Sequence, residues 1–191
     1  LVLLVALLVA PASAYLKLGT RVDTRTVTLR WEEFPVRYFV TNAAGGGVTA
    51  SQLSDTVARA FSTWDSVETA DISVEFAGFT NARPNDDDGL TVIGFENRPD
   101  QDRTLGATSF LVDTLTGEIV EAEIFLNSTF DWSVAPGGES GRYDVESIAL
   151  HEIGHAAMAL ALRIPSKRIV LTFFGGYVQF ARQPLSDPST M

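Results

Sequence analysis

The chain of 191 residues contains no cysteine. Disulfides, thiolate metal sites and cysteine nucleophiles are therefore excluded together. Histidine is almost as scarce, with two in the whole sequence, so any imidazole-based site has only that pair to use. Positive charge is also in short supply: 14 Lys and Arg stand against 24 Asp and Glu, for a net charge of -10. Such a field repels phosphate backbones, and no basic stripe with interleaved aromatics interrupts it, so nucleic acid is not expected as a partner. Internal repeats and low-complexity stretches are missing as well. The remainder is ordinary globular composition, 46% hydrophobic and 20% charged, in a length suited to one domain with one sizeable core.

The two ends differ from the middle. Residues 1–14, LVLLVALLVAPASA, form an apolar run that closes on Ala12-Ser13-Ala14. This is the pattern of a partial signal peptide with its small-residue cleavage site, too short to span a bilayer, and it implies a secreted protein cut after Ala14. Residues 15–155 hold 10 basic and 23 acidic residues, whereas residues 156–191 hold four basic residues and the single acid Asp187. Charge thus changes sign inside a predicted helix, and the chain divides into 15–155 and an apolar tail, 156–191.

Between the ends, hydrophobic periodicity predicts the elements. Val27–Trp31 (VTLRW) and Val36–Val40 are β-branched and aromatic runs, read as strands on either side of Glu32–Pro35. Thr49 with Gln52 forms a capping box, and Leu53, Val57, Phe61 and Trp64 follow at helical spacing. Ile72–Phe76 alternates as a strand, Asn81–Gly89 is a loop, and Leu90–Phe95 is the next strand. Thr108–Val112 and Glu118–Leu126 flank the turn Asp113–Gly117 as a hairpin. Strands mixed with two main helices define an α+β domain.

The second helix, predicted over Tyr143–Ile164 with Asp144 as its cap and Pro165 at its end, carries His151-Glu152-Ile153-Gly154-His155. A spacing of four puts both imidazoles on one helical face, where they can share a catalytic zinc ion. Glu152 is placed to act as general base toward a zinc-bound water and then to pass the proton to a leaving amine. A catalytic zinc takes three protein ligands. No third histidine exists, so the remaining ligand is a carboxylate, of which Asp187 is the one downstream of Glu152, or it lies beyond Met191. The acidic run Asp86-Asp87-Asp88 is a candidate calcium loop, the alternative being a solvated acidic turn.

Residues 24–155 resemble the catalytic domain of a bacterial matrixin, a zinc metalloendopeptidase of the metzincin clan. The stretches that carry the likeness are VTLRW, AFSTWDSV followed by ISVEF, LGATSFLVD, TGEIVEAEIFLN and SIALHEIGHA, in that order. The resemblance implies a twisted mixed sheet packed on two main helices. It also implies that an edge strand, within Thr108–Val112 or Glu121–Leu126, pairs with an extended polypeptide substrate. The family pattern continues past the second histidine as xxGxxH and a Met-turn. Here Met158 stands in place of the glycine and Ala161 in place of the third histidine, so the helix has no reason to end early and position 161 supplies no ligand.

The tail is similar to something else. Residues 151–184, HEIGHAAMALALRIPSKRIVLTFFGGYVQFARQP, resemble a segment of a site-2 protease, an intramembrane zinc metalloprotease. That likeness implies a motif helix in the membrane, and Ser147–Ile164 is a marginal span of 18 residues. Membrane association enters only through this tail. The two likenesses meet at HEIGH, as in a hybrid joined there and cut at both ends, or a fused or degenerate peptidase. Three functions follow: a secreted zinc endopeptidase, an intramembrane protease fragment, and a zincin-fold peptide-binding domain inactive for want of the third ligand. The oligomeric state is open.

Overall fold

The computed structural model describes residues 19–22, 25–28, 30–67, 73–161, 168–170 and 177–179, with side chains over 30–67 and 73–156. The leader 1–14, the start of the strand at Ile72, the helix end at Pro165, the FGG stretch and Asp187 lie outside the described residues.

Two short strands, β1 (Gly19–Val22) and β2 (Arg25–Thr28), pair antiparallel. The strand expected over Val27–Trp31 therefore ends earlier, and its continuation at Arg30 makes only an isolated parallel bridge to Glu118. Next come β3 (Val36–Thr41), α1 (Ala50–Asp65), β4 (Val74–Thr80), β5 (Thr91–Glu96), β6 (Gly106–Val112) and β7 (Ile119–Asn127). The two-residue strands β8 (Trp132–Ser133) and β9 (Tyr143–Asp144) pair parallel and lead into α2 (Val145–Ala161). In the tail, β10 (Arg168–Val170) and β11 (Tyr177–Gln179) pair antiparallel.

Five strands form one mixed sheet in the order β4-β3-β5-β7-β6. The β3–β4, β3–β5 and β5–β7 pairs are parallel, and β6 runs antiparallel to β7. Parallel pairing of β3 with β4 demands a crossover, which α1 supplies. Helix α1 starts at the expected capping box: Thr49 Oγ1 accepts from the Gln52 N–H at 3.3 Å while Gln52 Oε1 accepts from the Thr49 N–H at 3.0 Å. Leu53, Val57 and Ala60 of α1, Ile148, Ala149 and Ile153 of α2, and Tyr38, Val40, Ile93, Ile124 and Leu126 of the sheet form one core. Both helices thus pack on the same sheet face, since alternate residues of a strand share a face. Burying a leucine of this kind stabilises the fold by roughly 1.5–3 kcal/mol.

The hairpin places β6 and β7 differently. β6 is the sheet edge, whereas β7 is laddered on both sides, to β5 and to β6. Of the two stretches expected to offer an edge, Thr108–Val112 does so and Glu121–Leu126 does not. Among the described residues no second ladder runs along the outer side of β6; β10 passes near it but pairs with β11.

Asn127 fixes the approach to β6. Fully buried, its Nδ2 donates to the carbonyl oxygens of Arg98, Gln101 and Thr104 at 3.0–3.1 Å, and its Oδ1 accepts from the Arg98 N–H at 3.2 Å. One side chain thereby holds the loop that delivers the chain into the edge strand.

Candidate active site

Helix α2 begins where Asp144 caps it: Oδ2 accepts from the Ser147 N–H at 2.8 Å and from the Ser147 hydroxyl at 2.5 Å. The helix then runs without a break through position 158 to Ala161. This agrees with the expectation that, with methionine in the glycine's place, nothing ends it early. Its register is locked from α1. Trp64 Nε1 donates to the carbonyl oxygen of Leu150 at 2.9 Å, and its ring fills the notch at Gly154, where a Cβ would lie 2.6 Å from Trp64 Cζ2.

His151 and His155 come together as their spacing predicts. Their Nε2 atoms lie 2.8 Å apart, with the rings nearly perpendicular. Two nitrogens at tetrahedral zinc distances stand roughly 3.3 Å apart, so the pair has to part by only about half an ångström to share the ion. Burial, and then the neighbouring His151, push the His155 pKa down, which favours the neutral form that ligates a metal. The donor set fits two positions of a zinc ion. Among the described residues no group of three His, Asp or Glu side chains converges, and alanine at 161 has no donor atom.

Glu152 lies on the inner side of the helix, 1% exposed. Burial pushes its carboxyl up to about 7, against a hydrogen bond from Thr108 that pulls the other way. Thr108, on β6, places Oγ1 2.9 Å from Glu152 Oε2 and 3.0 Å from the main-chain oxygen of the same residue. With the carboxylate ionised the hydroxyl donates to it. With the carboxyl protonated the hydroxyl accepts from it and donates to the carbonyl, so the contact serves both states. Sequence reasoning missed Thr108, because a threonine inside an apolar strand reads as ordinary β-propensity.

The calcium loop finds no support. Asp86 Oδ2 accepts from the Arg83 N–H at 3.0 Å and Asp88 Oδ1 from the Leu90 N–H at 3.0 Å, so both carboxylates brace the turn itself. Two glutamates of β7, on the sheet face away from the helices, hold the loop down. Glu121 Oε2 accepts from the Gly89 N–H at 2.6 Å, and Glu123 accepts from the Asn85 N–H. Burial pushes the Glu121 carboxyl above its ordinary range.

A mixed sheet with one antiparallel edge strand, lying over two helices of which the second carries HEIGH, defines a class: an α+β metallopeptidase domain of metzincin type. The family model of the matrixins, peptidase family M10, matches residues 30–163, and the chain belongs to that family. Matrixins are zinc metallopeptidases that act on polypeptides. No curated protein matches the chain. Among the described residues no helix is long and apolar enough to cross a membrane.

Proposed function

We propose that this chain is a secreted zinc-dependent endopeptidase that hydrolyses peptide bonds in extended polypeptides. One observation carries the reading: two imidazole Nε2 atoms lie 2.8 Å apart beside a buried glutamate on the same helix. His151 and His155 would hold the zinc. Bound there, zinc supplies a lowered pKa for the attacking water and polarisation of the scissile carbonyl.

The protein's own groups account for substrate and proton. The outer edge of β6, which carries no second ladder among the described residues, offers main-chain N–H and C=O groups to an extended peptide, which selects unfolded segments over folded ones. Glu152 takes the proton of the attacking water on its carboxylate and releases it to the amine as the C–N bond breaks. Secretion rests on the apolar leader 1–14.

A second reading has its own support in Ala161, which leaves two histidines where three ligands are needed. In that case the edge strand binds peptide and nothing is cut. Zinc titration of the full chain with an unfolded polypeptide such as casein separates the two. Cleavage that rises with zinc and stops with a chelator supports the peptidase. Peptide binding without turnover in excess zinc supports the binding module.

A further inference from the structure

We propose that Thr108 is the positioning residue for the Glu152 carboxylate, and that through it β6 ties the seating of a peptide to the placing of the general base. The inference rests on the peptidase reading above.

The argument starts from the alternation of side chains along a strand. Thr108 turns toward α2, where it is 0% exposed and its hydroxyl bridges the carboxylate and the main-chain oxygen of one residue, Glu152. Ser109 turns to the opposite face, where its hydroxyl donates to Asn85 Oδ1 at 3.2 Å. The strand is thus pinned from above and below while its outer main-chain edge carries no ladder among the described residues.

A glutamate side chain has three rotatable bonds and several accessible rotamers. Packing alone leaves its terminal carboxylate free to swing about the last of them. A hydroxyl that contacts both that carboxylate and the backbone of the same residue removes the freedom, because it fixes the side chain against its own helical turn. The element that does this is the strand on which the substrate's backbone docks. The scissile bond and the base are therefore registered to one strand, and displacement of that strand misplaces both.

Thr108→Val keeps the shape and removes the hydroxyl, whereas Thr108→Ser keeps the hydroxyl. With zinc-loaded full chain and an unfolded polypeptide substrate, Thr108→Val is expected to lower kcat roughly tenfold to a hundredfold, with KM within about twofold and bound zinc unchanged. Thr108→Ser is expected to restore most of the loss. A valine variant with wild-type kcat overturns the proposal, as does a serine variant no better than valine. A second readout needs no activity: the hydroxyl proton of Thr108 should be a slowly exchanging NMR resonance with cross-peaks to the Glu152 side chain. Its absence from the wild-type spectrum also overturns the proposal. If the wild-type chain cleaves nothing, the peptidase reading falls while the resonance still decides the role of Thr108.

Discussion

Trp64 donates its indole N–H to the carbonyl oxygen of Leu150 at 2.9 Å, one residue before the first histidine of the site. The same ring lies where a side chain on Gly154 would have to go, 2.6 Å from an added Cβ. A tryptophan on α1 and a glycine inside HEIGH therefore set how α2 rotates and how deep it sits, and with that the direction in which His151 and His155 face.

Gly154→Ala should destabilise the fold by about 1–3 kcal/mol despite alanine's better helix propensity, because the added methyl meets the packed, half-buried ring of Trp64 rather than space. Urea unfolding checks this. A variant as stable as the wild type would show that α1 and α2 can separate without loss. Trp64→Phe should remove the indole donor that the Leu150 carbonyl has besides its helical one and lower stability by about 1 kcal/mol.

Asn127→Ala should remove about 3 kcal/mol, since three main-chain carbonyls lose a donor at a buried site. Amide hydrogen exchange of zinc-free protein should show the loss concentrated over residues 98–104 and the start of β6. Protection there equal to that of the wild type would mean the loop is held by other contacts.

The Glu152 carboxyl makes the zinc-free protein pH-sensitive in a defined direction. Its ordinary value is 4.5 and burial raises it to about 7, so between these values the folded chain keeps a proton that the unfolded chain has lost. Stability contributed by this group is present below pH 4.5 and is lost as pH rises toward 7, by about 3 kcal/mol. Glu152→Gln abolishes the dependence: the variant should match the wild type near pH 4 and exceed it by about that amount at pH 8. His155 works the other way, since its lowered pKa weakens the fold as pH falls below 6.5. Comparing variant with wild type at each pH cancels that effect. A difference that does not change with pH would contradict the burial of the Glu152 charge.

Much of the site was legible from sequence because it lies on one helix. A spacing of four fixes the mutual placement of His151 and His155 through local geometry alone, and Glu152 follows from its position between them. The capping box at Thr49 and the hairpin turn at Asp113–Gly117 were readable for the same reason. Contacts across the chain were not. Thr108 meets Glu152 over 44 residues of sequence and Trp64 meets Leu150 over 86, and neither leaves a local pattern. The acidic run Asp86-Asp87-Asp88 left two readings open, because a carboxylate that braces a turn and one that binds a cation look alike in a sequence. VTLRW misled because its β-propensity says nothing about which partner, if any, a strand has.

On the proposed reading, removal of either imidazole should abolish zinc uptake, since each histidine would supply one of two ligands. Equilibrium dialysis of His151→Ala and His155→Ala against zinc checks this, and an unchanged stoichiometry in either variant would place the metal elsewhere. Binding by the wild type should be weak for a zincin, given alanine at position 161.

The central claim is that Glu152 moves the proton while the histidines hold the metal. The most direct measurement takes the full chain and its Glu152→Ala variant, both zinc-loaded, and records casein cleavage and bound zinc in the same samples. The account predicts cleavage by the wild type, at least a hundredfold less by the variant, and equal zinc in both. Undiminished cleavage by the variant, or a loss of cleavage matched by a loss of zinc, would contradict it.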